Sequence, residues 1–381
     1  EEERSTVKYR KFGKLDFEVS ALGFGCMRLP TKGDSSQIDE PEAIRMIRYA
    51  IDQGVNYVDT AYGYHGGNSE RLVGKALRDG YRDKVKLATK LPPWNVTDAS
   101  DFDRILDDQR QKTQSEYIDF YLLHSLDRGS WIKLRDLGVL KWAEGALADG
   151  RIKHLGFSFH DELSVFKEII DYYDAWEFAQ IQYNLLNEEV QAGTEGLHYA
   201  AERGLGVVIM EPLLGGRLAR PPKAIREVTG TERTPVEWAL QWLWDKPEVS
   251  VVLSGMSTMT QVEENVVSAG RSGVGSLSAA ERELLKRVQA KYSELNPIPC
   301  TGCEYCLPCP EGVNIPRVFA IYNEGMVYEE MEQARQRYGR MPADQLGSLC
   351  VQCRTCESRC PQHIEISEWI PRAHEELAPG T

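Results

Sequence analysis

Eight of the nine cysteines in this chain of 381 residues lie between positions 300 and 360: Cys300, Cys303, Cys306 and Cys309, then Cys350, Cys353, Cys356 and Cys360. Only Cys26 lies elsewhere. The second set reads Cys-x2-Cys-x2-Cys-x3-Cys-Pro, the bacterial ferredoxin spacing, in which three thiolates grip one iron–sulfur cluster and the fourth crosses to another. The first set differs by a last interval one residue shorter. Two [4Fe–4S] clusters are expected. Zinc favours paired x2 hooks over three thiolates crowded into 350–356, and disulfides need an oxidising compartment. A structural role requires no second centre, so two clusters point to an electron relay.

A second group of reactive side chains is scattered over the first third of the chain. Asp59, Lys90 and His124 each close an apolar or β-branched run, and Tyr64 follows Asp59 by five positions. A charged group at the end of a buried strand needs a partner or a task. Asp59 with Lys90 alone would suit a buried ion pair. With a phenol and an imidazole added, the set is a proton-transfer constellation, provided the fold gathers it.

The elements that would do so are legible as an alternation. Strands are expected at 22–26, 56–59, 85–89, 118–123, 152–157, 178–181, 206–210 and 249–253, with amphipathic stretches between them and a hairpin at 9–12 and 17–20. Eight β/α units in about 270 residues fit a (β/α)8 TIM barrel, whose strands converge on a reactive C-terminal rim. A doubly wound sheet is disfavoured, because no Gly-x-Gly-x-x-Gly follows an early strand. The last lysine is Lys291, and Pro297 and Pro299 stop the preceding helical pattern. The domains are therefore placed at 1–295 for the barrel and 296–381 for a small, mainly helical dicluster ferredoxin-like domain. In the latter, Asn314 caps a helix, Pro316 fits its first turn, and 327–340 reads as helical.

Composition narrows the classes further. Hydrophobic residues make up 42% and charged residues 27%, ordinary globular usage. The net charge of -13 disfavours nucleic acid. No apolar run approaches the about 18 residues of a membrane span, and the opening Glu1-Glu2-Glu3-Arg4 does not read as an export signal, so no membrane partner and a cytoplasmic location are expected. From Asn296 onward there are 12 acidic and 7 basic residues. Thiolate-bound clusters would make this part more negative still, which favours a ferredoxin-type or other basic redox partner.

Tyr57-Val58-Asp59-Thr60-Ala61-Tyr62-Gly63-Tyr64, Leu87-Ala88-Thr89-Lys90, Asp119-Phe120-Tyr121-Leu122-Leu123-His124 and Gly66-Gly67-Asn68-Ser69-Glu70 closely resemble the aldo-keto reductases, in order and spacing, from about Val7 to Asn265. The whole chain resembles the branch with a C-terminal iron–sulfur domain. The resemblance implies Asp59, Tyr64, Lys90 and His124 as a catalytic tetrad, NADP or NAD as cofactor, and a small-molecule carbonyl or alcohol as substrate. On that reading the Lys90 ammonium favours phenolate character at Tyr64, Asp59 holds the lysine, and a neutral His124 bonds the substrate oxygen. The same resemblance assigns Ser158 and Gln180 to the nicotinamide carboxamide, Met210 to the ring face, and Leu213, Gly215 and Arg217 to the pyrophosphate. Ser254, Glu264 and Asn265 fall to the adenosine. Phe159 stands where the family has Asn, and Gly255 and Gln261 stand where NADP-dependent members often carry Lys and Arg.

Resemblance to two-cluster ferredoxins pairs Cys300, Cys303, Cys306 and Cys360 on one cluster, and Cys350, Cys353, Cys356 and Cys309 on the other. Cys26 reads as a packing thiol, and Trp94 as a pocket wall or surface loop. Two further functions fit the same residues: a redox-partner or sensor subunit whose barrel binds nucleotide without turnover, and a ferredoxin-dependent reductase fed through the clusters.

Overall fold

The computed structural model describes residues 7–230, 232–300, 302, 305–360 and 362–378. Strands β1 (Tyr9–Lys11) and β2 (Glu18–Ser20) form the expected antiparallel hairpin. Strands β3 (Leu22–Gly25), β4 (Tyr57–Asp59), β5 (Lys86–Leu91), β6 (Ile118–Leu126), β7 (Ile152–Phe159), β8 (Phe178–Gln182), β9 (Gly206–Met210) and β10 (Val249–Gly255) close into a parallel barrel, β10 pairing with both β3 and β9. All eight anticipated strands are present. The crossover helices are amphipathic: Glu40–Asp52 buries Ala43, Met46, Ile47, Ala50 and Ile51, one stripe at helical spacing.

The hairpin plugs the end of the barrel where the strands begin. Phe12, fully buried, lies 4.7 Å from the Phe120 ring and 5.7 Å from Phe178. Gly206 opens β9 because a Cβ there would stand 2.6 Å from the Phe12 ring. With one mouth filled by aromatic rings, polar chemistry is confined to the other.

Several strands run past their expected ends. The sequence reading ended β5 at Thr89 and β6 at Leu123, but Lys90 and His124 lie inside the strands. Lys90 stays in the ladder, in register with Leu122, because its charge is neutralised by a carboxylate. In β6 the register shifts between Leu123 and Leu126, and Ser125 takes a left-handed φ of 52°. Such an irregularity re-aims side chains near strand ends.

The chain divides into two compact units. One comprises 1–218 and 236–278; the other comprises 219–235 and 279–381. The longer segment of the second begins at the start of the helix Ala279–Leu295, ahead of the compositional break at 295/296. Its helices Ile315–Val327, Met331–Tyr338 and Ile366–Leu377 contribute to a core that includes Val318, Phe319, Tyr322, Tyr338 and Ile370. Asn314 caps the first of them as expected, its side chain accepting from Arg317 N at 3.3 Å. The helical stretch anticipated at 327–340 is interrupted before Met331, where Glu329 has φ 58°. Among the described residues no helix is long and apolar enough to cross a membrane.

Candidate active site

The structure brings Asp59, Tyr64, Lys90 and His124 together at the C-terminal end of the barrel. Lys90, at 0% exposure, donates from Nζ to both carboxylate oxygens of Asp59 at 2.7 Å and to Thr60 O at 2.8 Å. The ammonium lies 5.1 Å from the centre of the Tyr64 ring. The Tyr64 ring in turn stands edge-on to His124, with centroids 6.1 Å apart. Trp94, 60% exposed, lies 5.0 Å from His124 and walls the group on its outer side.

The electrostatics follow from burial and one cation. Burial opposes the Lys90 ammonium, but Asp59 and Tyr64 outweigh it and its pKa is raised, so it stays charged. Burial raises the Asp59 carboxyl, with Lys90 opposing. For Tyr64 the outcome departs from expectation: burial pushes the phenol up more than Lys90 pulls it down, so the resting side chain keeps its proton. Burial, then the Lys90 charge, hold His124 well below the usual histidine value, and it is neutral.

A buried polar network that the sequence reading did not single out lies behind Lys90. Glu70 Oε1 accepts from Thr89 Oγ1 at 2.6 Å and from Gln109 Nε2 at 2.9 Å. Gln109 also donates to Lys90 O at 2.9 Å and accepts from Tyr121 OH at 2.7 Å. Glu70 was visible within the Gly66–Glu70 motif, but a glutamine buried within a helix carries no local signal. Cys26 is fully buried and its thiol is pushed up by that burial, which agrees with a packing role.

The expected cofactor residues occupy the same rim. Ser158 Oγ accepts from Ser125 N at 2.6 Å and keeps its own hydrogen to donate. Gln180 places Nε2 3.5 Å from Met210 Sδ, and its Oε1 is buried without a partner. Phe159 is fully buried against Phe166, which explains how an apolar residue can stand at that position. Leu214, Gly215 and Gly216, with φ of 50°, 66° and 99°, form a left-handed run between Leu213 and Arg217. This is the kind of backbone that makes concave anion-binding nests.

Asn265 is buried, donating to Ser254 Oγ at 3.0 Å, while Glu264 is exposed. At Gly255 a Cβ would stand 2.8 Å from Arg28 Cγ, so the arginine stem fills the space a side chain would use. Gln261 Oε1 accepts from Ser257 N at 2.8 Å.

In the C-terminal unit, Cys300, Cys309, Cys350, Cys356 and Cys360 are partly buried against the same apolar core to which Cys306 contributes. Cys303 lies outside the described residues. Cys309 and Cys350 act electrostatically on the Cys356 thiol, whose pKa burial pushes up to about 11. Gln352 and Arg354 are left-handed, with φ of 56° and 61°. Backbone of this type forms N–H nests at many iron–sulfur sites. Among the described residues no three His, Cys, Asp or Glu side chains gather tightly enough for a single metal ion. Thiols set at an apolar core, next to left-handed loop backbone, are the donor chemistry an iron–sulfur cluster takes.

Residues 21–271 match the aldo/keto reductase family model, and residues 299–365 match that of the 4Fe-4S dicluster domain. The chain belongs to the aldo/keto reductase family and carries a dicluster domain for two [4Fe–4S] clusters. It is similar to the probable aldo-keto reductase 1 of Glycine max, 26% identical over 295 residues, 67% of this chain and 82% of that protein. It is also similar to L-galactose dehydrogenase of Arabidopsis thaliana, 26% identical over 285 residues, 69% and 88%.

Among solved structures it resembles an aldo-keto reductase from Bacillus halodurans in its holo form. The TM-score is 0.63 at 29% identity, covering 74% of this chain and 96% of that one. An aldo/keto reductase from Klebsiella pneumoniae in complex with NADP and acetate gives a TM-score of 0.61 at 26% identity, with the same coverage.

Proposed function

We propose that the barrel interconverts a carbonyl and an alcohol by hydride transfer with NADPH or NADH, and that the clusters serve as an electron relay. The observation that carries this reading is the buried Lys90 ammonium, tied to Asp59 and Thr60 O and set beside a protonated Tyr64 and a neutral His124. When bound, the nicotinamide supplies or takes the hydride, and the clusters supply or take single electrons. Tyr64 gives its proton to the substrate oxygen, and Lys90 stabilises the phenolate left behind. His124 donates a hydrogen bond to the same oxygen as it gains charge.

Orphaned buried polar atoms support a ligand at this rim. Gln180 Oε1 suits an amide N–H such as that of a carboxamide, and the left-handed run from Leu214 to Gly216 suits a pyrophosphate. One relative is an L-galactose dehydrogenase and one solved structure holds NADP, in keeping with a small polar carbonyl or alcohol as substrate.

The test is single-turnover oxidation of NADPH or NADH by a panel of carbonyls, under anaerobic conditions with cluster-loaded protein. Tyr64→Phe should slow turnover by about 10²–10⁴-fold while nucleotide affinity is kept. Unchanged turnover in that variant overturns the assignment.

A further inference from the structure

Among the described residues, the buried polar atoms without a hydrogen-bond partner include His124 Nδ1, Gln180 Oε1 and Gln191 Oε1. The first two belong to the site already proposed. Gln191 does not. It lies on the connection from β8 to the helix Gly193–Glu202, so it stands at the rim where the reacting groups gather.

Its backbone is left-handed, φ 60°, a conformation that costs a residue with a Cβ about 1–2 kcal/mol and persists only when its surroundings fix it. The surroundings do so. Gly193 N donates to Val190 O at 3.1 Å, and Thr194 N donates to Glu188 O at 2.7 Å. Asn184 Oδ1 accepts from Leu186 N and Asn187 N at 3.1 Å, and its Nδ2 donates to Glu211 O at 3.2 Å, sewing the loop after β8 to the loop after β9.

Gln191 Nε2 lies 3.3 Å from Nδ1 of His160, the residue that follows β7. His160 is anchored by its own N–H, which donates to Leu126 O at 2.9 Å. Leu126 ends β6 two residues beyond His124, so this bond sets His160 at the end of the strand that carries His124. Burial lowers the His160 pKa, with Glu211 and Gln191 opposing, so the ring is neutral. With Nδ1 accepting from the amide, the proton sits on Nε2. The pair then offers one N–H donor and one unsatisfied carbonyl acceptor. Turning the amide over exchanges the two roles but leaves one donor and one acceptor. An acceptor shut away without a donor costs about 1–3 kcal/mol, which a ligand able to both give and receive a hydrogen bond would relieve.

We propose that His160 and Gln191 form a hydroxyl-binding subsite, so that the preferred carbonyl substrates carry a hydroxyl group near the carbonyl, as hydroxyaldehydes and sugars do. This rests on the carbonyl–alcohol reading above. The test compares lactaldehyde with propionaldehyde, which differ by one hydroxyl, on anaerobic, cluster-loaded full chain.

The wild type should favour lactaldehyde in kcat/KM by about 10-fold or more, since a site built to bond a hydroxyl rejects the analogue that lacks it. Gln191→Gly, which tolerates the left-handed backbone, and His160→Phe should lower kcat/KM for lactaldehyde about 10-fold more than for propionaldehyde, mainly through KM. His160→Gln, which restores a donor and an acceptor, should recover most of the preference. No wild-type preference, or equal losses on both substrates, overturns the proposal.

If the wild type turns over no carbonyl, the carbonyl–alcohol reading fails, and binding alone decides the subsite. Trp94 fluorescence, reporting from beside His124, should then show propane-1,2-diol binding more tightly than 1-propanol in the wild type, with the difference lost in Gln191→Gly. Equal binding of the two alcohols overturns the subsite as well.

Discussion

Tyr64 and His124 carry the most informative balance of forces at the residue scale. Lys90 alone would push Tyr64 toward phenolate, but burial of the phenol is the larger effect and the proton is retained. Carbonyl reduction needs that proton. A group whose pKa is raised keeps its proton until the pH climbs through the raised value, so reduction should fail only on the alkaline side. His124 is displaced in the opposite sense and charges only well below the ordinary histidine range. The pH profile of kcat/KM for carbonyl reduction should therefore be flat from about pH 6 to the ordinary tyrosine value of about 10 and decline only above it. A limb near about 6.5, the unperturbed imidazole value, would mean that His124 is exposed and chargeable, contrary to the geometry.

At the scale of elements, strand β5 is hydrogen-bonded to the helix Ser100–Thr113 through Gln109. Gln109 donates to Lys90 O and Glu70 Oε1 and accepts from Tyr121 OH, so it fixes the end of β5 against the helix that carries Glu70. Gln109→Ala would leave three buried polar groups short of a partner, each worth about 1–3 kcal/mol. The barrel should melt several degrees lower, since about 1 kcal/mol shifts a midpoint by roughly 2–4 °C at this size. Turnover should fall with it, because Lys90 loses its backbone anchor. A midpoint and turnover equal to those of the wild type would show that the network has slack. Nothing in the sequence around Gln109 announced this, since the partners come from 12 to 39 residues away and meet only in the folded barrel.

For the whole molecule, the open question is how eight thiols divide between two clusters. Resemblance to two-cluster ferredoxins assigns Cys309 to the cluster of Cys350, Cys353 and Cys356, and Cys360 to the other. Cys309→Ala should cut iron and sulfide from about eight to about four per chain. Cys360→Ala should do the same but leave the other cluster, so the two variants should give different electron paramagnetic resonance spectra on reduction. Identical spectra would refute the crossed assignment.

The eight strands were legible in the sequence because each is a short β-branched run flanked by an amphipathic stretch, a pattern that local chemistry dictates. The cluster ligands were legible because cubane chemistry fixes cysteine spacing along the chain. The tetrad was legible as residue types and positions, since Asp59, Lys90 and His124 each interrupt an apolar run. Only the tertiary structure decided that Lys90 and His124 lie within their strands, that burial outweighs the ammonium at Tyr64, and that Arg28 fills the space over Gly255. It alone placed His160 beside Gln191. Such outcomes depend on which side chains lose water together. Barrel closure sets that, by bringing residues far apart along the chain to one rim.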